Sequence, residues 1–312
     1  MPNVDDPGQR RLTRRRFLAA GLGGAAVMVT AGGAGFELVS HGVLPGRQAL
    51  DQLDGACSVP VPPRTGAAPG PSFSGSFHSA ARSRPVGYTI AYPPGHGPGS
   101  VLPLVVMLHG FGGDHTDAVV GMSPAEAVAL DVDGRPLPPM AMVTVDGGGG
   151  YWNPHPGDDP MAMVVDELIP MCRQRGLGVP PQRIGAMGIS MGGYGAIALA
   201  EQHPGLVSAV AAISPAVWTT YTDAAGANAG AFTSSQVFAS HDVVTHAGAL
   251  AGTPVRVASG ADDPFHPGVV ALAAALPAPS STVVFAAGCH TDPFFTSQEP
   301  PSLAFLGRHL VV

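Results

Sequence analysis

Ser190, Asp263 and His290 are three side chains whose types and order could carry out acyl transfer. Ser190 stands in Gly188-Ile189-Ser190-Met191-Gly192-Gly193, a G-x-S-x-G pattern between a strand-like run and a helix-like run. Such a pattern fits a tight turn that presents the hydroxyl at the end of a strand, with a helix N-terminus beneath it. A serine hydroxyl is a weak nucleophile, so it needs a base within hydrogen-bond reach and an acid that orients the base. The chain offers Gly260-Ala261-Asp262-Asp263-Pro264-Phe265 and Gly288-Cys289-His290-Thr291, with Asp263 73 residues after Ser190 and His290 27 residues after Asp263. Each follows a strand-like run, in the order serine, acid, histidine. Asp263 is preferred to its neighbour Asp262 as the acid.

An oxyanion must also be met by donors already aimed at it. His109-Gly110-Phe111-Gly112-Gly113 follows another strand-like run, and the backbone N–H groups of Phe111 and Met191 are the candidate donors. The candidate substrate contacts are His109, Tyr151, Trp152 and Phe265; with Phe111, the aromatic members suit an apolar pocket of modest size.

These residues require a scaffold that brings several strand ends together. Short apolar runs at Val86–Tyr92, Leu104–Leu108, Ala141–Val145, Arg183–Gly188, Val207–Ile213, Val255–Ser259 and Thr282–Ala286 predict strands. Helices are predicted at Thr116–Leu130, Met161–Gly176, Met191–His203, Pro267–Leu276 and Pro301–Leu310. Alternation of this kind predicts an α/β fold, a mostly parallel sheet covered by helices on both faces. Pro215–His246 interrupts the alternation as an insertion that could cover the site. Residues 41–84, dense in Pro, Gly, Ser and Ala, read as a linker or surface arm ahead of a catalytic domain at 85–312.

Composition excludes several classes. With 45% hydrophobic and 12% charged residues, the 312-residue chain is neither a charged disordered chain nor a coiled coil. From residue 41 onward there are 10 Arg and no Lys against 19 Asp plus Glu, which opposes a nucleic-acid-binding surface. Residues 1–40 carry Thr13-Arg14-Arg15-Arg16-Phe17-Leu18 and then an apolar, uncharged stretch. This fits a twin-arginine export signal, cleaved or kept as an anchor, read by the twin-arginine machinery and leading to a secreted or envelope-associated protein. Cys57, Cys172 and Cys289 allow one disulfide, and their spacing selects no pair. His155, Asp158 and Asp159 read as a polar loop, with no metal or cofactor expected.

The chain resembles an α/β-hydrolase of the esterase family that holds esterase D, feruloyl esterases and the mycolyltransferase antigens of mycobacteria, in an exported actinobacterial form. The resemblance runs from about Pro85 to the C-terminus and is carried by the His109–Gly113, Gly188–Gly193, Asp263–Phe265 and Gly288–Thr291 motifs. It implies Ser190 as nucleophile, His290 as base, Asp263 as acid, and the Phe111 and Met191 N–H groups as oxyanion hole. Tyr151-Trp152-Asn153 is similar to a substrate-side loop of exported members. The expected activity is hydrolysis of short-to-medium acyl esters, from a small-molecule or lipid ester substrate. The rivals are acyl transfer to a sugar or lipid hydroxyl, a serine peptidase on the same fold, and a catalytically silent envelope protein of this fold.

Overall fold

Along Leu104–Leu108 every side chain is buried, with Leu104, Val106 and Leu108 in one apolar cluster and Val105 and Met107 in another. A strand apolar at every position is buried on both faces, and that requirement sets the layering of the molecule. The computed structural model describes residues 55, 57–117, 119–279 and 281–310. The export-signal reading of residues 1–40 lies outside the described residues. Among the described residues no helix is long and apolar enough to cross a membrane.

In chain order the strands are β1 (Ser72–Ser79), β2 (Arg84–Ala91), β3 (Leu104–Leu108), β4 (Asp131–Val132), β5 (Arg135–Pro136), β6 (Ala141–Val145), β7 (Ile184–Ile189), β8 (Ala209–Ile213), β9 (Val255–Gly260) and β10 (Ser281–Ala286). The helices are α1 (Pro124–Ala127), α2 (Pro160–Ala162), α3 (Ile169–Arg173), α4 (Met191–Gln202), α5 (Tyr221–Ala227), α6 (Ser235–Ser240), α7 (His266–Ala275) and α8 (Asp292–Leu310), with a π-helical segment, Met163–Leu168, joining α2 to α3. Eight strands form one sheet in the order β1-β2-β6-β3-β7-β8-β9-β10, in which only β2 runs against its neighbours. Leu108 pairs with Gly188, Ile189 with Ile213 and Ala286 with Gly260, so the carboxyl ends of the central strands lie level. In open α/β sheets the residues just beyond those ends share a crevice. The predicted α/β-hydrolase fold is the one observed.

Three boundaries differ from expectation. The arm at 41–84 contains β1, so the sheet begins at Ser72, ahead of the boundary expected at Pro85; this Ser- and Gly-rich edge strand is largely exposed and carries almost no apolar signal. The helix expected at Thr116–Leu130 shrinks to α1, which opens on a Ser123–Glu126 capping box. A two-residue hairpin turn follows at Asp133 and Gly134, both with positive φ. The last helix is longer than predicted and starts at Asp292, because Phe294, Leu303, Leu306 and Leu310 are fully buried and hold it across Pro300 and Pro301.

Candidate active site

β7 ends at Ile189, and Ser190 adopts φ 57° and ψ −119° before α4 begins. A non-glycine residue in this region is strained, and the surroundings must hold it there. They do so through its backbone: the Ser190 N–H donates to the Ile213 carbonyl (2.9 Å), and the Ser190 carbonyl accepts from Tyr194 N–H (3.1 Å) and Ala216 N–H (3.0 Å). The flanking glycines are steric requirements of the same turn. A Cβ on Gly192 would stand 1.8 Å from the Leu108 carbonyl oxygen, and one on Gly188 would stand 2.1 Å from Gly192.

The strand ends bring the other two groups to this serine. Ser190 Oγ lies 2.8 Å from His290 Nε2, and His290 Nδ1 lies 2.9 Å from Asp263 Oδ2. With Nδ1–H donating to the carboxylate, Nε2 is left to accept from the serine hydroxyl, the tautomer that the bonding pattern selects. The Asp263 side chain is fully buried, and its other oxygen accepts from Phe265 N–H (2.9 Å). His290 keeps 17% of its side chain exposed and lies between the rings of Phe265 and Phe295, at 5.0 and 4.9 Å. Asp262, the alternative acid, instead gives its backbone N–H to the Gly288 carbonyl (3.0 Å).

The loop after β3 comes up beside the serine: a Cβ on Gly110 would be 3.4 Å from the Ile189 carbonyl oxygen and 3.9 Å from Ser190 Cβ. This approach sets Gly110, the residue before Phe111, beside the nucleophile turn, while Met191, first residue of α4, has an N–H with no intrahelical partner. The pair could therefore serve an anion at this point.

Of the expected substrate contacts, His109 and Trp152 are corrected to supporting residues. His109 is 3% exposed; its Nδ1–H donates to the Gly110 carbonyl (2.8 Å), and its Nε2 accepts from Gly147 N–H (2.8 Å). Burial holds its imidazole pKa down, toward the neutral form that this bonding needs. Trp152 is 1% exposed and packs against Gly147 and Gly195, where any Cβ would collide with its ring. Both residues are buried and support the 147–153 loop from within, His109 through Gly147 N–H and Trp152 through its ring against Gly147. Tyr151 is also buried, and burial pushes its phenol up to about 12. Phe265, beside His290, is partly exposed, and Phe111 is 51% exposed.

Trp218 and Phe232, on the insertion, went unnoticed in the sequence. Trp218 lies 5.3 Å from Phe265 and 4.9 Å from Tyr151, and Phe232 lies 6.2 Å from Trp218. The insertion is therefore joined by aromatic contacts to the residue beside His290. The rarity of tryptophan was the available signal, with Trp152 and Trp218 the only two in the chain.

Cys57 and Cys289 form a disulfide, and Cys172 is a buried thiol that desolvation pushes up to about 12. Asp158 pairs with Arg82 and Arg84, and His155 Nε2 contacts the Gly150 carbonyl, so this cluster is a fastened loop. No metal-holding group of three or more His, Cys, Asp or Glu is present among the described residues.

Residues 79–267 match the protein family described as "Putative esterase". No curated protein matches the chain. Among solved structures, a ferulic acid esterase is similar at 18% identity and a TM-score of 0.61, over 77% of this chain and 98% of that one. The S-formylglutathione hydrolase from Agrobacterium tumefaciens is similar at 16% identity and 0.61, over 80% and 99%. MPT51 (FbpC1) of Mycobacterium tuberculosis is similar at 20% identity and 0.55, over 80% and 100%. At these identities the likeness is one of fold.

Proposed function

Because the chain belongs to the esterase family of α/β-hydrolases, we propose that Ser190, His290 and Asp263 are its catalytic triad, and that it hydrolyses short-to-medium acyl esters. The observation that carries this reading is the continuous line from Asp263 Oδ2 through the imidazole to Ser190 Oγ, with steps of 2.9 and 2.8 Å.

The Ser190 hydroxyl gives its proton to His290 Nε2 as Oγ forms a bond to the ester carbonyl carbon, whose π electrons move onto oxygen. Asp263 stabilises the resulting imidazolium and keeps its Nδ1–H directed at the carboxylate. The N–H groups of Phe111 and Met191 receive the oxyanion. Collapse expels the alcohol with the proton from Nε2 and leaves an acyl-serine. Water then repeats the sequence, releasing the acid and restoring the hydroxyl.

Export is part of the same proposal. The Cys57–Cys289 bond supports an oxidising destination, consistent with the paired arginines near the N-terminus. Replacing Arg14, Arg15 and Arg16 together by Lys should retain the protein in the cell; unchanged export would exclude the twin-arginine route.

The catalytic assignment is tested with p-nitrophenyl esters graded by acyl length. Turnover should be greatest for short-to-medium chains, and Ser190→Ala should lower it by several orders of magnitude and abolish fluorophosphonate labelling. Turnover near the wild-type rate in the folded Ser190→Ala chain would remove Ser190 from the mechanism.

A further inference from the structure

The backbone that carries His290 is held largely from outside its own loop. Between β10 and α8 it is fastened by the Asp262 N–H to the Gly288 carbonyl (3.0 Å) and by the Thr291 N–H to the Cys289 carbonyl (2.9 Å). Gly288 has φ 137°, a conformation closed to other residues, and a Cβ there would lie 2.9 Å from Val59 Cγ2. Val59 belongs to the arm that precedes the sheet. The arm reaches this loop covalently, since Cys57 is bonded to Cys289, the residue immediately before His290, with their Cα atoms 4.9 Å apart. Cys289 is 1% exposed.

Further along, the arm is tied down twice more. Arg64 pairs with Glu299, a fully buried residue of α8. The Asp131 N–H then donates to the Thr65 carbonyl (2.9 Å) and the Ala67 N–H to the Ala129 carbonyl (3.1 Å). The arm is thus anchored to the body between Arg64 and Ala67, and at Cys57 it holds the backbone next to the imidazole. The rings of Phe265 and Phe295 restrict the imidazole on either side. Its position along the line from Ser190 to Asp263 is left to the backbone at Cys289 and His290.

We propose that the Cys57–Cys289 bond is a positioning element for His290, making the oxidised chain the competent enzyme and the reduced chain a slow one. This rests on the reading of His290 as the general base. Reduction by a dithiol transfers two electrons and two protons: the Sγ–Sγ bond breaks, both cysteines become thiols, and the reductant closes to its own disulfide. The loop then loses its covalent tie to the arm, and both hydrogen bonds of the imidazole lengthen. A misplacement of about 1 Å can cost roughly a hundredfold in rate.

The test uses the full chain, oxidised and dithiol-reduced, with the two released thiols verified by alkylation and mass, and the fold verified by circular dichroism. Reduction should lower kcat about ten- to a hundredfold while KM stays within about threefold, and slow fluorophosphonate labelling in parallel. Reoxidation should restore both. The Cys57→Ala/Cys289→Val pair, which refills the space with apolar groups, should reproduce the loss and serves where reduction melts the fold. Arg64→Met removes one tie of the arm but keeps the backbone bonds at Thr65 and Ala67 and the disulfide, so its kcat should stay within a few-fold of the wild type below its unfolding temperature. Equal kcat in the folded oxidised and disulfide-free chains would overturn the proposal, as would a kcat loss in Arg64→Met as large as theirs. Absence of Ser190-dependent turnover in the oxidised chain would defeat the esterase reading beneath it as well.

Discussion

The N–H of Asp262 donates to the carbonyl of Gly288 across 3.0 Å, fastening together the loops that carry Asp263 and His290. The approach is close enough that a Cβ on Gly260 would stand 2.2 Å from the same carbonyl oxygen. Of two adjacent aspartates, one therefore gives its backbone to hold the loops together and the next gives its carboxylate to the imidazole.

Asp263→Asn should accordingly lower kcat by about four orders of magnitude, because an amide at this position favours the wrong imidazole tautomer. Asp262→Asn keeps the backbone bond and should stay within a few-fold. Steady-state kinetics on one ester decides between them, and the reverse ranking would move the acid to Asp262.

The elbow makes a steric prediction. Gly192→Ala places a methyl group 1.8 Å from the Leu108 carbonyl oxygen, where only backbone can yield. Stability should fall by more than about 3 kcal/mol, with labelling of Ser190 lost at the same time. Calorimetry and fluorophosphonate labelling on the same sample check both; a variant that keeps its Tm would show that the turn can open.

Residues under the site and residues at its edge should respond differently. Trp152→Ala removes a fully buried indole and should cost about 3–5 kcal/mol of stability. Phe111→Ala removes a ring that is 51% exposed; stability should change by less than about 0.5 kcal/mol while KM rises. If Trp152→Ala instead kept its stability and raised KM alone, its assignment as a buried support of the loop would be wrong.

Much of this layering was legible because central strands such as Leu104–Leu108 and Ala141–Val145 are apolar at every position. The elbow was legible for a related reason: glycines two residues to either side of a serine answer a steric demand that few other arrangements make. What escaped was structure without an apolar signature. β1 is a serine-rich edge strand, recognisable only by its pairing with β2. The cysteine pair could not be selected, since spacings of 115 and 117 residues carry no geometry. His109 and Trp152 were misassigned because type and position along the chain do not reveal depth. The aromatic packing of the insertion escaped because Trp218, Phe232 and Phe238 are spaced too irregularly for a helix or strand pattern, yet Trp218 and Phe232 pack on Tyr151 and Tyr194, with Phe238 against Phe232.

Glu201, near the end of α4, gives a pH prediction independent of the site. Burial, and secondarily Asp242, pushes its carboxyl up to about 9 from 4.5. A raised carboxyl pKa means that the folded chain holds the proton where the unfolded chain has released it. The contribution is present in full below about pH 4.5 and is lost as pH rises toward about 9. Glu201→Gln keeps the shape without the ionisation, so its stability relative to wild type should grow by up to about 1.4 kcal/mol per pH unit across that window. Denaturant unfolding at several pH values measures the difference, and a pH-independent difference would show that Glu201 ionises normally.

The final prediction concerns the acceptor in the second step. Formation of the acyl-serine is common to hydrolysis and transfer, so the triad does not separate them; access of water and of a competing alcohol does. His290, which must activate the acceptor, keeps 17% of its side chain exposed, and Phe111 is half-exposed. Water can therefore reach the imidazole. For an alcohol at millimolar concentration to compete with water at about 55 M, the protein would have to hold it in line with the acyl carbon, raising its effective molarity by several orders of magnitude. Such a site requires polar groups converging beside Nε2, whereas the rings flanking the imidazole are Phe265 and Phe295. We therefore expect free acid as the main product when an acyl ester is supplied with millimolar trehalose or another polyol, as read by mass spectrometry. Predominant acylated polyol would reverse the assignment and make the enzyme a transferase.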